Sequence, residues 1–151
     1  MKKLLFILLV SLGSLNCSNN DSTEVRDLTL KTCDGDQECD DCVTISKQRY
    51  EQAITNNYEL NEVKLNGDCL EITFSASGCS GSSWETDLID MGAIAESFPV
   101  QRFVRLSLTD EELCEAWITK TVSFNISPLQ VEQDRLYLNF DGWEGQILYK
   151  Y

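Results

Sequence analysis

The chain has 151 residues, with 25 acidic and 12 basic side chains, a formal charge of −13 and 42% hydrophobic residues, enough for one domain with a real core. That charge excludes a phosphate-gripping surface, which needs clustered Lys and Arg, so nucleic acid is not an expected partner. There is no histidine, which removes the usual base of Ser and Cys nucleophiles.

The chain starts with Lys2 and Lys3, an apolar run over residues 4–10 and a small, polar approach over residues 11–16. This reads as a secretory signal, too short to span a bilayer. Ser14-Leu15-Asn16-Cys17 resembles a loose bacterial lipobox, cut just before Cys17, whose thiol then takes a diacylglyceryl group with its palmitate-type acyl chains. It departs from the strict form at Ser14 and Asn16, and the alternative is an ordinary signal cut nearby. The expected address is the cell envelope, as an outer-membrane lipoprotein facing the periplasm or the surface, with the membrane as partner through the anchor. Loss of Lys2 and Lys3 takes the charge to −15, which works against the folded body lying on an anionic bilayer.

The predicted divisions are a signal over 1–16, the lipidated Cys17 and a polar tether over 17–32, a Cys- and Asp-rich segment with a short helix over 33–56, and a β core over 57–151. Within the second division, residues 18–24 are polar and without apolar period. In the third, Asp34, Asp36, Glu38 and Asp40 alternate in a turn and could converge on Ca²⁺, which takes six to eight oxygen ligands. The glycine at Gly35 is misplaced for an EF-hand and a late bidentate Glu is missing, so an exposed acidic loop is the preferred reading. Residues 47–54 suit a short helix.

From Tyr58 the signals are β signals. Val63 and Leu65 share a face, and Asn66-Gly67 predicts a type I′ hairpin turn. Leu70, Ile72, Phe74 and Ala76 alternate with polar residues. Residues 84–91 form a further strand, although Leu88 and Ile89 fall on opposite faces. Residues 93–98 suggest a helical turn ending before Pro99. Val104, Leu106 and Leu108 share one face of the next strand. Thr109 with Glu112 fits a capping box, predicting helix over 110–115. Ile118, Val122, Phe124 and Ile126 oppose Trp117, Thr119, Thr121, Ser123 and Asn125. Leu136, Leu138 and Phe140, then Asp141-Gly142, then Ile147, Tyr149 and Tyr151 read as a closing hairpin. The sum predicts an all-β, antiparallel β-sandwich, with an immunoglobulin-like arrangement as one candidate, and one or two short helices; a small closed barrel is the alternative.

Removing Cys17 leaves Cys33, Cys39, Cys42, Cys69, Cys79 and Cys114, an even set for an oxidising compartment. Six cysteines permit fifteen pairings. Easy closure of short loops favours a bridge within Cys33, Cys39 and Cys42; Cys79 with Cys114, and Cys69 with the remaining N-terminal cysteine, is one choice among the three pairings then open. The loop Gly78-Cys79-Ser80-Gly81-Ser82-Ser83-Trp84 lacks the spacing of a nucleophile elbow. Arg102 and Arg105 could grip a ligand carboxylate, against a simpler pairing with surface acids. Trp117 and Trp143 are candidate stacking platforms for a sugar, Trp143 the better placed because it lies in a loop.

Several pieces resemble a group of uncharacterised flavobacterial lipoproteins of the Bacteroidetes: Tyr58-Glu59-Leu60, Asn66-Gly67-Asp68-Cys69-Leu70, Gly78-Cys79-Ser80-Gly81 with Trp84, Pro99 with Gln101-Arg102, Glu112-Leu113-Cys114, Phe124-Asn125-Ile126-Ser127 and Leu148-Tyr149-Lys150-Tyr151. The resemblance implies compartment and relatedness, and no activity. The expected function is therefore a lipid-anchored, non-catalytic module that binds a protein or glycan or serves envelope structure. The alternatives are a carbohydrate-active enzyme using a carboxylate pair, which needs no histidine, and a Ca²⁺-dependent binding module.

Overall fold

Alternating apolar residues give each long strand one face for a shared core, and the chain resolves into two packed sheets. The computed structural model describes Cys33 and residues 38–151. Its elements are β1 (Asp41–Cys42), β2 (Thr44–Ile45), α1 (Lys47–Gln52), β3 (Tyr58–Asn66), β4 (Cys69–Gly78), β5 (Glu85–Ala95), β6 (Val100–Thr109), β7 (Ala116–Asn125), a 3₁₀ turn (Ser127–Leu129), β8 (Arg135–Phe140) and β9 (Gln146–Lys150). One sheet runs β1-β7-β4-β3 and the other β2-β5-β6-β8-β9. This is the all-β sandwich that the alternation predicts. The sheets are mixed rather than purely antiparallel, because β1–β7, β2–β5 and β6–β8 pair in parallel. The β6–β8 pair arises because the chain leaves β6, builds β7 in the opposite sheet and returns.

The core holds Leu70, Ile72, Phe74, Leu106, Leu108, Phe124, Leu136, Leu138 and Tyr149, all buried. Each such side chain contributes roughly 1.5–3 kcal/mol by leaving water. Phe74 packs edge-on against Tyr58, and the Tyr58 hydroxyl crosses between sheets to donate to the Leu106 carbonyl at 2.7 Å. Burial, reinforced by Asp141, pushes the Tyr58 pKa up to about 12, so this donor keeps its proton at ordinary pH. At the other end, the Tyr149 hydroxyl donates to Asp68 and accepts from Gln130.

Three local expectations are corrected. The β3–β4 turn is centred on Gly67-Asp68, one residue later than predicted, since Asn66 still pairs with Cys69. Positive φ is confined to Gly67 at +58°, which suits a type II′ turn rather than I′. Residues 93–98 are not helical: β5 runs on to Ala95, and pairing with β6 outweighs the local signal. Residues 110–115 are also not helical, because Glu112 finds a different partner, described below. Helix α1 does form, capped by the Ser46 hydroxyl accepting from Arg49 N–H at 3.1 Å, and it packs on β5, which explains why Leu88 and Ile89 are both buried.

The cysteines pair as Cys33–Cys42, Cys39–Cys69 and Cys79–Cys114: one bridge falls within the N-terminal trio, as short-loop closure favours, and its members, left open by the sequence, are Cys33 and Cys42. The first two lie where β3 turns into β4 and β7 ends. The third lies at the opposite end of the sandwich, where β4 ends and β7 begins.

Candidate functional site

The end of the sandwich distant from Cys33 and Cys39 carries the least ordinary chemistry. Here the loop after β4 meets the loop before β7. The Glu112 Oε2 accepts three successive backbone N–H groups, from Cys79, from Ser80 at 2.9 Å and from Gly81 at 3.0 Å, while Oε1 accepts the Ser83 hydroxyl at 2.9 Å. Asp110 Oδ1 accepts the Glu112 N–H and sets the loop. The glycines are required: a Cβ on Gly78 would stand 2.6 Å from Glu112 Oε2, and one on Gly81, at φ +67°, would stand 2.9 Å from Lys120 Cδ. Lys120 Nζ donates to the Gly81 carbonyl at 2.6 Å and lies 5.8 Å from the centre of the Trp84 ring.

Hydrogen bonds from the Gly81, Ser80 and Cys79 N–H groups and the Ser83 hydroxyl hold Glu112 well below the usual carboxylate range, at about 2. A carboxylate whose pKa falls on folding adds stability that is complete above its ordinary value of 4.5 and is lost as pH falls through the folded value. Thermal melts from pH 5 to pH 2 should therefore fall more steeply for the native chain than for Glu112→Gln, which has no proton to take up. Parallel curves would mean that the loop donors do not favour the ionised carboxylate.

The outer face of the four-stranded sheet starts from this end. Inward Ile118, Val122 and Phe124 leave Trp117, Thr119, Thr121 and Ser123 facing out on β7, and Thr73, Ser75 and Ser77 facing out on β4. The β4–β7 register sets these side by side: Thr73 and Thr121 share a hydrogen bond at 2.8 Å, Ser75 and Thr119 one at 2.7 Å, and Ser75 donates to Asn61 at 2.8 Å. Trp117, opposite Ser77, is 62% exposed. Trp117 to Ser123 spans about 20 Å at ~3.3 Å per residue. Of these positions Ser75 is buried beneath its partners, and the strip ends in charge: Ser123 is bonded to the Asp40 carboxylate and stands opposite Glu71, and Glu62, paired with Lys64, stands opposite Thr73.

The predicted site residues scatter. Arg102 is not available to a ligand: it is buried on the core side of β6, and its Nη2 and Nε reach both oxygens of Asp90 at 2.7 and 3.1 Å. Asp90, fully buried on β5, also accepts the Gly92 N–H at 2.7 Å and so holds the bulge between Asp90 and Ile94. The sequence signal for Asp90 was a charge inside the apolar run Leu88-Ile89-Asp90-Met91. Arg105 stacks 4.1 Å over the Tyr50 ring and pairs with Asp141 at 2.8 Å. Trp143 is half-buried against the core, so Trp117 is the more exposed of the two proposed platforms. Of the acidic turn, Asp34 and Asp36 lie outside the described residues, as does Cys17. Glu38 is exposed, and Asp40 is engaged with Ser123, accepting its N–H and hydroxyl, each at 2.8 Å. Among the described residues no three His, Cys, Asp or Glu side chains gather to hold a metal ion. No helix among them is long and apolar enough to cross a membrane.

No family model matches the chain, and no curated protein matches it significantly. Among solved structures it is similar to a protein of unknown function (DUF1344) from Bacteroides vulgatus, at 15% identity and a TM-score of 0.47, covering 69% of this chain and 52% of that one. It is also similar to a protein from Parabacteroides distasonis described only as toxin-related, at 18% identity and a TM-score of 0.47, covering 74% of this chain and 60% of that one. The chain thus spans little more than half the length of either.

Proposed function

We propose that this is a lipid-anchored, non-catalytic module of the cell envelope that binds glycan on the outer β4–β7 face, with Trp117 as the stacking platform. The observation that carries this reading is polarity along the sandwich. Cys33 and Cys39 are fastened by disulfides at one end, and exposed Trp117 and Leu113 stand at the other. A tether running from Cys17 to that first end would hold the body with its aromatic end away from the membrane. The exposed hydroxyls of Ser77, Thr119 and Thr121 beside a flat indole suit a sugar: the ring face stacks on Trp117, and Ser and Thr oxygens both accept and donate. Three disulfides suit the oxidising compartment that such an anchor implies.

The test uses the full chain in two arms. In its native host, palmitate labelling should vanish in Cys17→Ala. On affinity gels cast with envelope polysaccharides, the native chain should be retarded and Trp117→Ala should not. Trp117 is exposed, so its removal should change stability by no more than about 0.5 kcal/mol. Labelling that persists in Cys17→Ala refutes the anchor. Retardation unaffected by Trp117→Ala, or absent from the native chain, refutes the glycan face.

A further inference from the structure

We propose that the loop over residues 79–83 is a carboxylate receptor whose resident occupant is the chain's own Glu112, and that an external carboxylate takes its place. Three consecutive N–H groups on one oxygen, with a hydroxyl on the other, form a complete cradle for a planar anion. A second, independent observation points the same way. Trp84 is buried, 7% exposed, and its indole N–H has no hydrogen-bond partner among the described residues. The point that a Gly78 Cβ would occupy lies 3.1 Å from that nitrogen and 2.6 Å from Glu112 Oε2, so an unused donor sits beside the occupied cradle. A buried donor without an acceptor is costly, and a native structure rarely keeps one without a reason.

Glu112 can leave. Residues 110–115 belong to no ladder, so its departure breaks no sheet hydrogen bond, and Cys79–Cys114 keeps the loop close. Lys120 at the Gly81 carbonyl supplies a local positive charge on an otherwise acidic body. The acid excess disfavours a dianion such as phosphate and leaves a monocarboxylate as the fitting class. Such a group occurs on a uronic acid or at a peptide C-terminus. The donors are independent of Trp117.

The experiment uses the full chain, native and as Glu112→Gln and Glu112→Ala. Melting temperature and the indole proton resonances are followed against acetate, glucuronate, and a short acetylated peptide with a free or amidated C-terminus. Sodium chloride at equal ionic strength is the control. Carboxylates should raise the Tm of the variants saturably and move the Trp84 indole proton. The native chain should respond at concentrations at least about tenfold higher, because its cradle is mostly occupied. Preference for glucuronate over free-ended peptide, or the reverse, identifies the source. If Glu112→Ala does not fold, Glu112→Gln keeps the side-chain length and is read alone. No response beyond chloride in the variants, or none in the native chain at any concentration, would show that Glu112 is a fixed brace and overturn the proposal.

Discussion

Arg102→Ala is expected to destabilise the fold by about 3–5 kcal/mol, a large share of the 5–15 kcal/mol that holds a domain together. The reason lies with the partner. Asp90 is fully buried, and both its oxygens are held by the Arg102 guanidinium. Removing the arginine leaves a carboxylate in the core that still accepts the Gly92 N–H but has lost both guanidinium donors. Arg102→Lys should fall between, because an ammonium keeps the charge and loses the two-pronged fit. Replacing both residues together, Asp90→Leu with Arg102→Met, should cost far less than Arg102→Ala alone, since two desolvated charges vanish at once. Urea unfolding of the four chains checks the ordering. An Arg102→Ala chain within about 1 kcal/mol of native would mean that water reaches Asp90 and that the pair is not the keystone of the β5 bulge.

This pair also marks where sequence reasoning stops. Period-two alternation located β4, β6, β7 and β8, because burial of one face imposes that period whatever the partner strand. It also put Trp117 on the polar face of β7. It could not see that Thr73 and Ser75 would stand opposite Thr121 and Thr119, since register between strands far apart in sequence is a tertiary fact. Pairing of Arg102 with an acid was the simpler expectation, but its partner was hidden for the same reason: it is a buried acid, Asp90, twelve residues away across a bulged ladder. The failed helix over 110–115 is more instructive. Thr109 and Glu112 have the spacing of a capping box, and the local signal was sound. A loop offering three aligned N–H groups competes for the same carboxylate and wins, and nothing near Glu112 in sequence announces that loop. Of the cysteines, closure entropy pointed only to a bridge within Cys33, Cys39 and Cys42; that Cys33 takes Cys42, and that the long Cys39–Cys69 and Cys79–Cys114 bridges form, follows from strand pairing that separation does not reveal.

Full reduction of the three disulfides should unfold the chain at 37 °C. The loops closed by Cys39–Cys69 and Cys79–Cys114 span 30 and 35 residues, and that by Cys33–Cys42 spans 9. Constraint of the unfolded chain makes each long bridge worth about 3.5–4 kcal/mol and the short one about 2.5 kcal/mol. The Cys33–Cys42 and Cys39–Cys69 loops overlap, so the total falls short of the sum, yet it still approaches the whole stability of a domain this size. Paired Cys→Ala variants should follow that order. Cys33→Ala with Cys42→Ala should be mildest in its effect on the body, while freeing the chain from the sandwich end where the proposed tether joins. Cys39→Ala with Cys69→Ala should be harsher than its loop length implies, because both residues are buried and their loss also removes packing. Melting curves with and without reductant decide the matter. A reduced chain that melts near the oxidised temperature would show that the sheets hold by core packing alone, and the cysteines would then no longer argue for an oxidising compartment.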